Sequence, residues 1–503
     1  MGVGELSALN GVAGAYTEQV KTINIVGTTS TAVQKNRTMI HHCLGPDPDH
    51  RVYEKISSHV RAAHCWLDDI DEATFEIDRV LRICMDTSLP VYIFIPMNFV
   101  HQLVEAPLSL RSLDLPPAPA PEPLISLLLS SLYAARNPVV IVDALVSRHR
   151  ATPQARALLD LLHVPTFSTP MGKSIVNGSR PYYRGTYIGQ LSSPEVLAAI
   201  ETESDLVLDL GPMHTDSNTG GHSRRLAADK VIEVYPKEVI VRGKVFPNEA
   251  GIRALLAGLV AGIDVSRLPV VSPPKAVAAA ELAVNGAGKE EKELITQSWI
   301  WPRIAKFLRP GDVLVAESGT AQFGLSDVVL PDDVTYITQM YYASIGYALP
   351  ACLGAAVAKR ELGHGEEVGR VVLVTGDGSA QLTVQEVGTM VKLGLKNVLI
   401  LVINNNGYTI ERAIHGPEEV YNDIAAWDWQ LMLSFFGDKN GRARSREAQT
   451  KADLENILAL PQYTTPESIQ VLEVHMGKMD VPRVLREYVE LVAARTRVSE
   501  KHL

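Results

Sequence analysis

The chain has 503 residues, 46% of them hydrophobic, and a formal net charge of −10. That length suits about three domains of roughly 150 residues, with enough apolar material for several cores. No basic stripe accompanies the negative balance, so nucleic acid and anionic membranes are excluded as expected partners and small-molecule chemistry remains.

The N-terminus lacks the basic flank of a signal peptide, and no run of about eighteen apolar residues is available to cross a membrane. Leu6 excludes a myristoylation signal at Met1-Gly2. Cys43, Cys65, Cys84 and Cys352 form no CxxC pair. They read as reduced thiols in the core, which points to a cytoplasmic compartment.

In chain order, the first block alternates strands, Thr22 to Val26 and Val91 to Ile95, with helical patterns. Pro116 to Pro123 reads as an extended linker, because proline neither continues a helix nor pairs inside a sheet. The middle block repeats the alternation with strands at Val139 to Asp143, Leu206 to Leu210 and Val231 to Val234. It offers no evident acid–base constellation and reads as a Rossmann-like structural unit. Ser272-Pro273-Pro274 and Asn285-Gly286-Ala287-Gly288 mark a second break between residues 269 and 292. The third block places strands near Val313, Val371, Leu399 and Val471. The expectation is an α/β chain of three doubly wound parallel sheets, with domains at 1–115, 122–268 and 293–503.

The strongest local signal lies in the third block. The apolar run 370–375 delivers Gly376-Asp377-Gly378-Ser379 to a strand's carboxyl edge, and Val384, Val387 and Val391 predict a helix opening just beyond, with free N–H groups for an anion. The next apolar run, 397–403, ends in Asn404-Asn405-Asn406-Gly407. About thirty residues separate the two motifs, the length of one βαβ crossover, so both reach the same edge of a parallel sheet. Asp377 carboxylate, an Asn405 side-chain oxygen and the Gly407 carbonyl are suitable ligands for Mg²⁺, which takes hard oxygens and keeps phosphates in its sphere. Either motif alone is a tight turn or a loop cap. Together they predict a magnesium-bound diphosphate.

The segment from Gly376 to Trp429 resembles the thiamine-diphosphate-dependent 2-oxo-acid decarboxylases of the fungal pyruvate decarboxylase type. The residues that carry the likeness are 405–411, Ile414-His415-Gly416-Pro417 and Tyr421-Asn422. The resemblance implies thiamine diphosphate and Mg²⁺ as cofactors, a 2-oxo acid as substrate, and a homodimer or homotetramer in which modules of two subunits clasp the cofactor. It assigns the metal to Asp377, Asn405 and Gly407, and the diphosphate to Gly376, Gly378 and Ser379. Ile345 becomes the apolar wedge that bends the cofactor, its alternative being a plain core residue. Ala343 stands where the family has glycine; its backbone carbonyl serves if φ/ψ is ordinary. Thr320 contacts the pyrimidine, and Ser318, Gln322 and Ile410 face the substrate. Glu411, otherwise a solvated partner of a helix dipole, and the pair His41 and His42 become proton-handling catalytic residues.

The resemblance also implies that about two βα units, roughly sixty residues, precede the segment matching Gly2 to Asn10. That portion would carry the cofactor-activating glutamate, and no residue here replaces it. Glu5 matches a different position. The readings left open are a truncated form of an active enzyme, a catalytically impaired paralogue, and a cofactor-binding or regulatory protein. Pyruvate is the first substrate expected, with phenylpyruvate or indolepyruvate as alternatives. Activation through a thiol is not expected, because Asp143 to His149 contains no cysteine.

Overall fold

The structure is a computed structural model that describes residues 2–104, 118–271, 293–364 and 369–500. Three sheets follow one another. The first has the order β1-β3-β2, from β1 (Ile23–Thr28), β2 (Ala63–Trp66) and β3 (Val91–Pro96). The central sheet consists of β4 (Pro138–Val142), β5 (Thr166–Ser168), β6 (Tyr183–Thr186), β7 (Leu206–Leu210), β8 (Val231–Val234), β9 (Glu238–Val241) and β10 (Lys244–Pro247). Its order is β10-β9-β8-β7-β4-β5-β6. The third sheet is built from β11 (Val313–Ala316), β12 (Thr335–Ile337), β13 (Val371–Gly376), β14 (Val398–Asn404), β15 (Ser445–Ala448) and β16 (Gln470–His475). Here the order is β12-β11-β13-β14-β16-β15.

Helices cover both faces, and the twofold alternation of each strand shows why the runs are apolar throughout. In β4, Val140 and Val142 enter one core while Val139 and Ile141 enter the other. In β13, Val372 and Val374 pack beneath the helices Gln297–Phe307 and Lys451–Leu458, whereas Val371 and Leu373 pack against Ala348–Leu362. β3 divides likewise, Val91 and Ile93 against Tyr92 and Phe94. At the edge of the first sheet β1 leaves Ile23 and Ile25 exposed, at 50% and 68%.

Several expectations change. The central sheet is mixed, because β8, β9 and β10 pair antiparallel. The linker is shorter than read: a helix begins at Glu122, with Pro123 in its first turn where no N–H is needed. Pro116 and Pro117, and the break at 272–292, lie outside the described residues. Asp377–Thr383 and Gln385–Lys392 are two helices joined at Val384 rather than one.

Four parallel strands, β11, β13, β14 and β16, form the middle of the third sheet, each registered on its neighbour. Their carboxyl ends lie side by side. Open α/β sheets bind ligands at this edge.

Candidate active site

β13 ends at Gly376, and Asp377 opens the next helix, buried to 1% exposure. Its Oδ1 accepts from the Gly378 N–H at 2.9 Å and its Oδ2 from the Gly407 N–H at 3.2 Å. Burial pushes the carboxyl up to about 6 against the pull of these N–H groups. β14 is the neighbour of β13 and brings Asn405, also buried, to the same point.

One end of the Asn405 carboxamide lies 3.1 Å from Asp377 Oδ1 and 2.8 Å from the Gly407 carbonyl oxygen. With nitrogen at that end it donates to both, and the amide oxygen accepts from Thr409 Oγ1 at 2.9 Å. Turned over, the carboxamide oxygen faces the Asp377 and Gly407 oxygens, a set of three hard donors that a cation would hold together. Octahedral bonds of 2.0–2.1 Å place neighbouring oxygens about 2.9 Å apart, close to the 3.1 and 2.8 Å from the carboxamide end to Asp377 Oδ1 and the Gly407 oxygen.

The loop is held from below by Arg412, a fully buried side chain on the helix Thr409–His415. Its Nη2 donates to Asn406 O at 2.5 Å, to Asn422 O at 3.2 Å and to Asp423 Oδ1 at 2.7 Å, while Nη1 reaches Asn405 O at 3.4 Å. Gly407 has φ 126, and a Cβ there would come within 2.2 Å of Asn422 O. Only glycine fits.

A second clamp holds the apolar wall. Glu317, at the carboxyl end of β11, is buried, and Oε1 accepts from the N–H of Ser318 and Gly346. Its Oε2 accepts from Ala348 N–H and Thr375 Oγ1. Desolvation raises its carboxyl pKa, opposed by these donors. The loop so fixed leaves Ile345 40% exposed at the mouth of a cleft, which removes the plain-core reading. Ala343 has φ 50, so the condition of ordinary backbone is not met: it occupies the left-handed region that glycine favours.

The cleft measures ≈ 230 Å³. Its lining brings together Thr320, Ala343, Ile345, Gly376, Gly378 and Ser379 with Asn405, Gly407 and Ile410. Ser318, Gln322 and Glu411 line it as well. Ser318 Oγ donates to Gln339 O at 2.7 Å, and Glu411 Oε2 lies 3.3 Å from His415 Nε2. His41 and His42 do not line the cleft. They are exposed on the first unit, their rings 4.7 Å apart. Arg412 and the clamping role of Glu317 escaped the sequence reading, because each acts on backbone atoms that only the folded loops bring near. Asn422 was visible only as part of the family string.

The family description "Thiamine pyrophosphate enzyme, central domain" matches residues 125–257, and "Thiamine pyrophosphate enzyme, C-terminal TPP binding domain" matches 318–465. Pyruvate decarboxylase isozyme 2 of Saccharomyces cerevisiae is 37% identical over 500 residues, covering 98% of this chain and 86% of the relative. The pyruvate decarboxylase of Aspergillus terreus is 38% identical over 499 residues, covering 98% and 85%. The chain belongs to the thiamine pyrophosphate enzyme family, of the pyruvate decarboxylase type.

The fold recurs at low identity. Benzoylformate decarboxylase from Polynucleobacter necessarius superposes with a TM-score of 0.71 at 16% identity, covering 96% of this chain and 87% of that one. The stretch matched as the cofactor-binding module of these thiamine pyrophosphate enzymes contains Ser318, Asp377, Asn405 and Glu411. Among the described residues no helix is long and apolar enough to cross a membrane.

Proposed function

We propose that the chain decarboxylates pyruvate without oxidation, releasing an aldehyde and CO₂, with thiamine diphosphate anchored through Mg²⁺. The observation that carries this reading is the convergence of the buried Asp377 carboxylate, the Asn405 carboxamide and the Gly407 carbonyl beside one cleft that Ile345 and Glu411 line. Bound there, thiamine diphosphate supplies the electron sink for the pair left behind when CO₂ departs.

The remaining tasks fall to side chains and backbone of this chain. Asp377, the Asn405 carboxamide oxygen and the Gly407 carbonyl hold the metal; Gly376, Gly378 and Ser379 flank the diphosphate. Ile345, 40% exposed in the cleft, would supply the apolar wall against which the cofactor packs. Thr320 would receive the pyrimidine. Ser318, Gln322 and Ile410 border the 2-oxo acid. Glu411, whose side chain is 38% exposed and lines the cleft, would hydrogen-bond the substrate and deliver a proton, work worth about 10²–10⁴-fold in rate. His41 and His42 reach such a site when a second copy of the chain presents them, so the active form is a homodimer or a homotetramer.

The test is aldehyde release from pyruvate and from phenylpyruvate with thiamine diphosphate and Mg²⁺. Asp377→Ala is expected to abolish Mg²⁺-dependent cofactor binding, read by titration calorimetry. Unchanged affinity in that variant would remove the metal assignment, and a larger kcat/KM with phenylpyruvate would replace pyruvate as substrate.

A further inference from the structure

The central sheet, read from sequence as lacking an acid–base constellation, contains one. Asp209 on β7 and Glu233 on β8 are register partners of adjacent parallel strands. Both lie near the carboxyl ends of those strands, where open sheets take ligands. The segment following β7 returns His214 over them: its Nε2 lies 3.4 Å from Asp209 Oδ2 and 3.6 Å from Glu233 Oε1. One ligand atom from each of the three falls within 4.8 Å of the others. Sequence spacing hides this grouping, because Glu233 joins the other two only through strand pairing.

Two further observations point to a ligand. Asp209 is completely buried, and its Oδ1 has no hydrogen-bond partner among the described residues. Arg224, lying over the Tyr187 ring, donates to the other oxygen, Oδ2, at 2.6 Å. It holds Oδ2, the oxygen that faces His214, and leaves Oδ1 of the same buried carboxylate without a partner. Beside the group opens a cleft of ≈ 320 Å³ lined by His214, His222, Arg224 and Glu233. It gives room for solvent at a remaining coordination position.

We propose that Asp209, His214 and Glu233 form a second metal site, for a divalent transition ion of the Zn²⁺ class, separate from the diphosphate centre. Bonds of 2.0–2.1 Å to nitrogen and carboxylate oxygen in a tetrahedron put neighbouring ligand atoms about 3.3 Å apart. The two edges from His214 Nε2, 3.4 Å to Asp209 Oδ2 and 3.6 Å to Glu233 Oε1, need only a small contraction, and the third edge lies within 4.8 Å. One imidazole with two carboxylates suits Zn²⁺ or Co²⁺ and disfavours Mg²⁺, which prefers oxygen alone. Two carboxylates against one guanidinium leave a net negative charge that attracts the cation.

Co²⁺ separates this site from the diphosphate centre, because a four- or five-coordinate ion with an imidazole ligand has strong visible d–d bands and a six-coordinate oxygen site has weak ones. The full chain is titrated with Co²⁺ as the parent and as Asp377→Ala, His214→Ala and Glu233→Gln. Strong bands are expected in the parent and in Asp377→Ala, bleached by one equivalent of Zn²⁺, and reduced at least tenfold in the other two. His214 and Glu233 side chains are 34% and 22% exposed, so two independent variants keep a folded reporter available. Absence of strong bands in the parent, or their persistence in either His214→Ala or Glu233→Gln, overturns the proposal.

Discussion

Ala343 carries a methyl group at φ 50, where an L-residue other than glycine costs about 1–2 kcal/mol. The loop tolerates it because Gln339 Oε1 accepts from Ser344 N–H at 2.7 Å and Glu317 secures Gly346 and Ala348. Ala343→Gly relieves the strain and returns part of the gain through the looser unfolded chain, roughly 0.5–1 kcal/mol. A Tm equal to or slightly above that of the parent is therefore expected in calorimetry; a fall of several degrees would mean that the methyl group packs favourably. At this scale the sequence was legible where chemistry is local. Asp377 and Asn405 announce themselves by glycine-rich turns after apolar runs, and the cleft gathers every candidate of the third block apart from Asp377, which lies beneath its wall. The backbone angle of Ala343 was not legible, because a dihedral is set by the hydrogen bonds of the folded loop.

Among the elements, the short helix Thr409–His415 matters for what it carries inward. Arg412 ties the asparagine loop, Asn422 and Asp423 into one unit through a fixed planar fork that lysine cannot copy. Arg412→Lys should weaken Mg²⁺-dependent cofactor binding about 10–100-fold, the usual cost of losing an outer-shell partner, with the secondary structure unchanged by circular dichroism. Affinity within twofold of the parent would show that the loop holds itself. Long buried strands such as β13 and β14 were readable from unbroken β-branched runs, whereas β5 and β12, three residues each, are too short to display a period. The hairpin of β9 and β10 was missed for a different reason. Its turn places Arg242 and Gly243 at φ 51 and 80, a geometry usually announced by Asn-Gly or Asp-Gly.

At the scale of the molecule, Glu18 couples the first unit to the third: its Oε1 accepts from the N–H of Tyr341 and Tyr342, at 2.7 and 3.1 Å. Burial raises its carboxyl above the ordinary 4.5, against the pull of these N–H groups and of Arg148. A group so raised contributes stability fully below pH 4.5 and loses it as pH climbs through the raised value. The Tm of Glu18→Gln, which keeps one acceptor and no charge, should therefore gain on that of the parent as pH increases from 4.5; a constant difference would mean that Glu18 does not titrate there. The same scale decides where His41 and His42 act, since within one chain they stand outside the cleft that holds Glu411. Coexpression of His42→Ala with Glu411→Gln separates the possibilities. In a twofold dimer with sites shared across the interface, half of the randomly paired molecules are hybrids, and each hybrid rebuilds one intact site of two. The mixture should recover about a quarter of the parent activity by that count, while either variant alone stays near background. If both groups serve a site within their own subunit, every site in the mixture still lacks one of them, and no recovery follows.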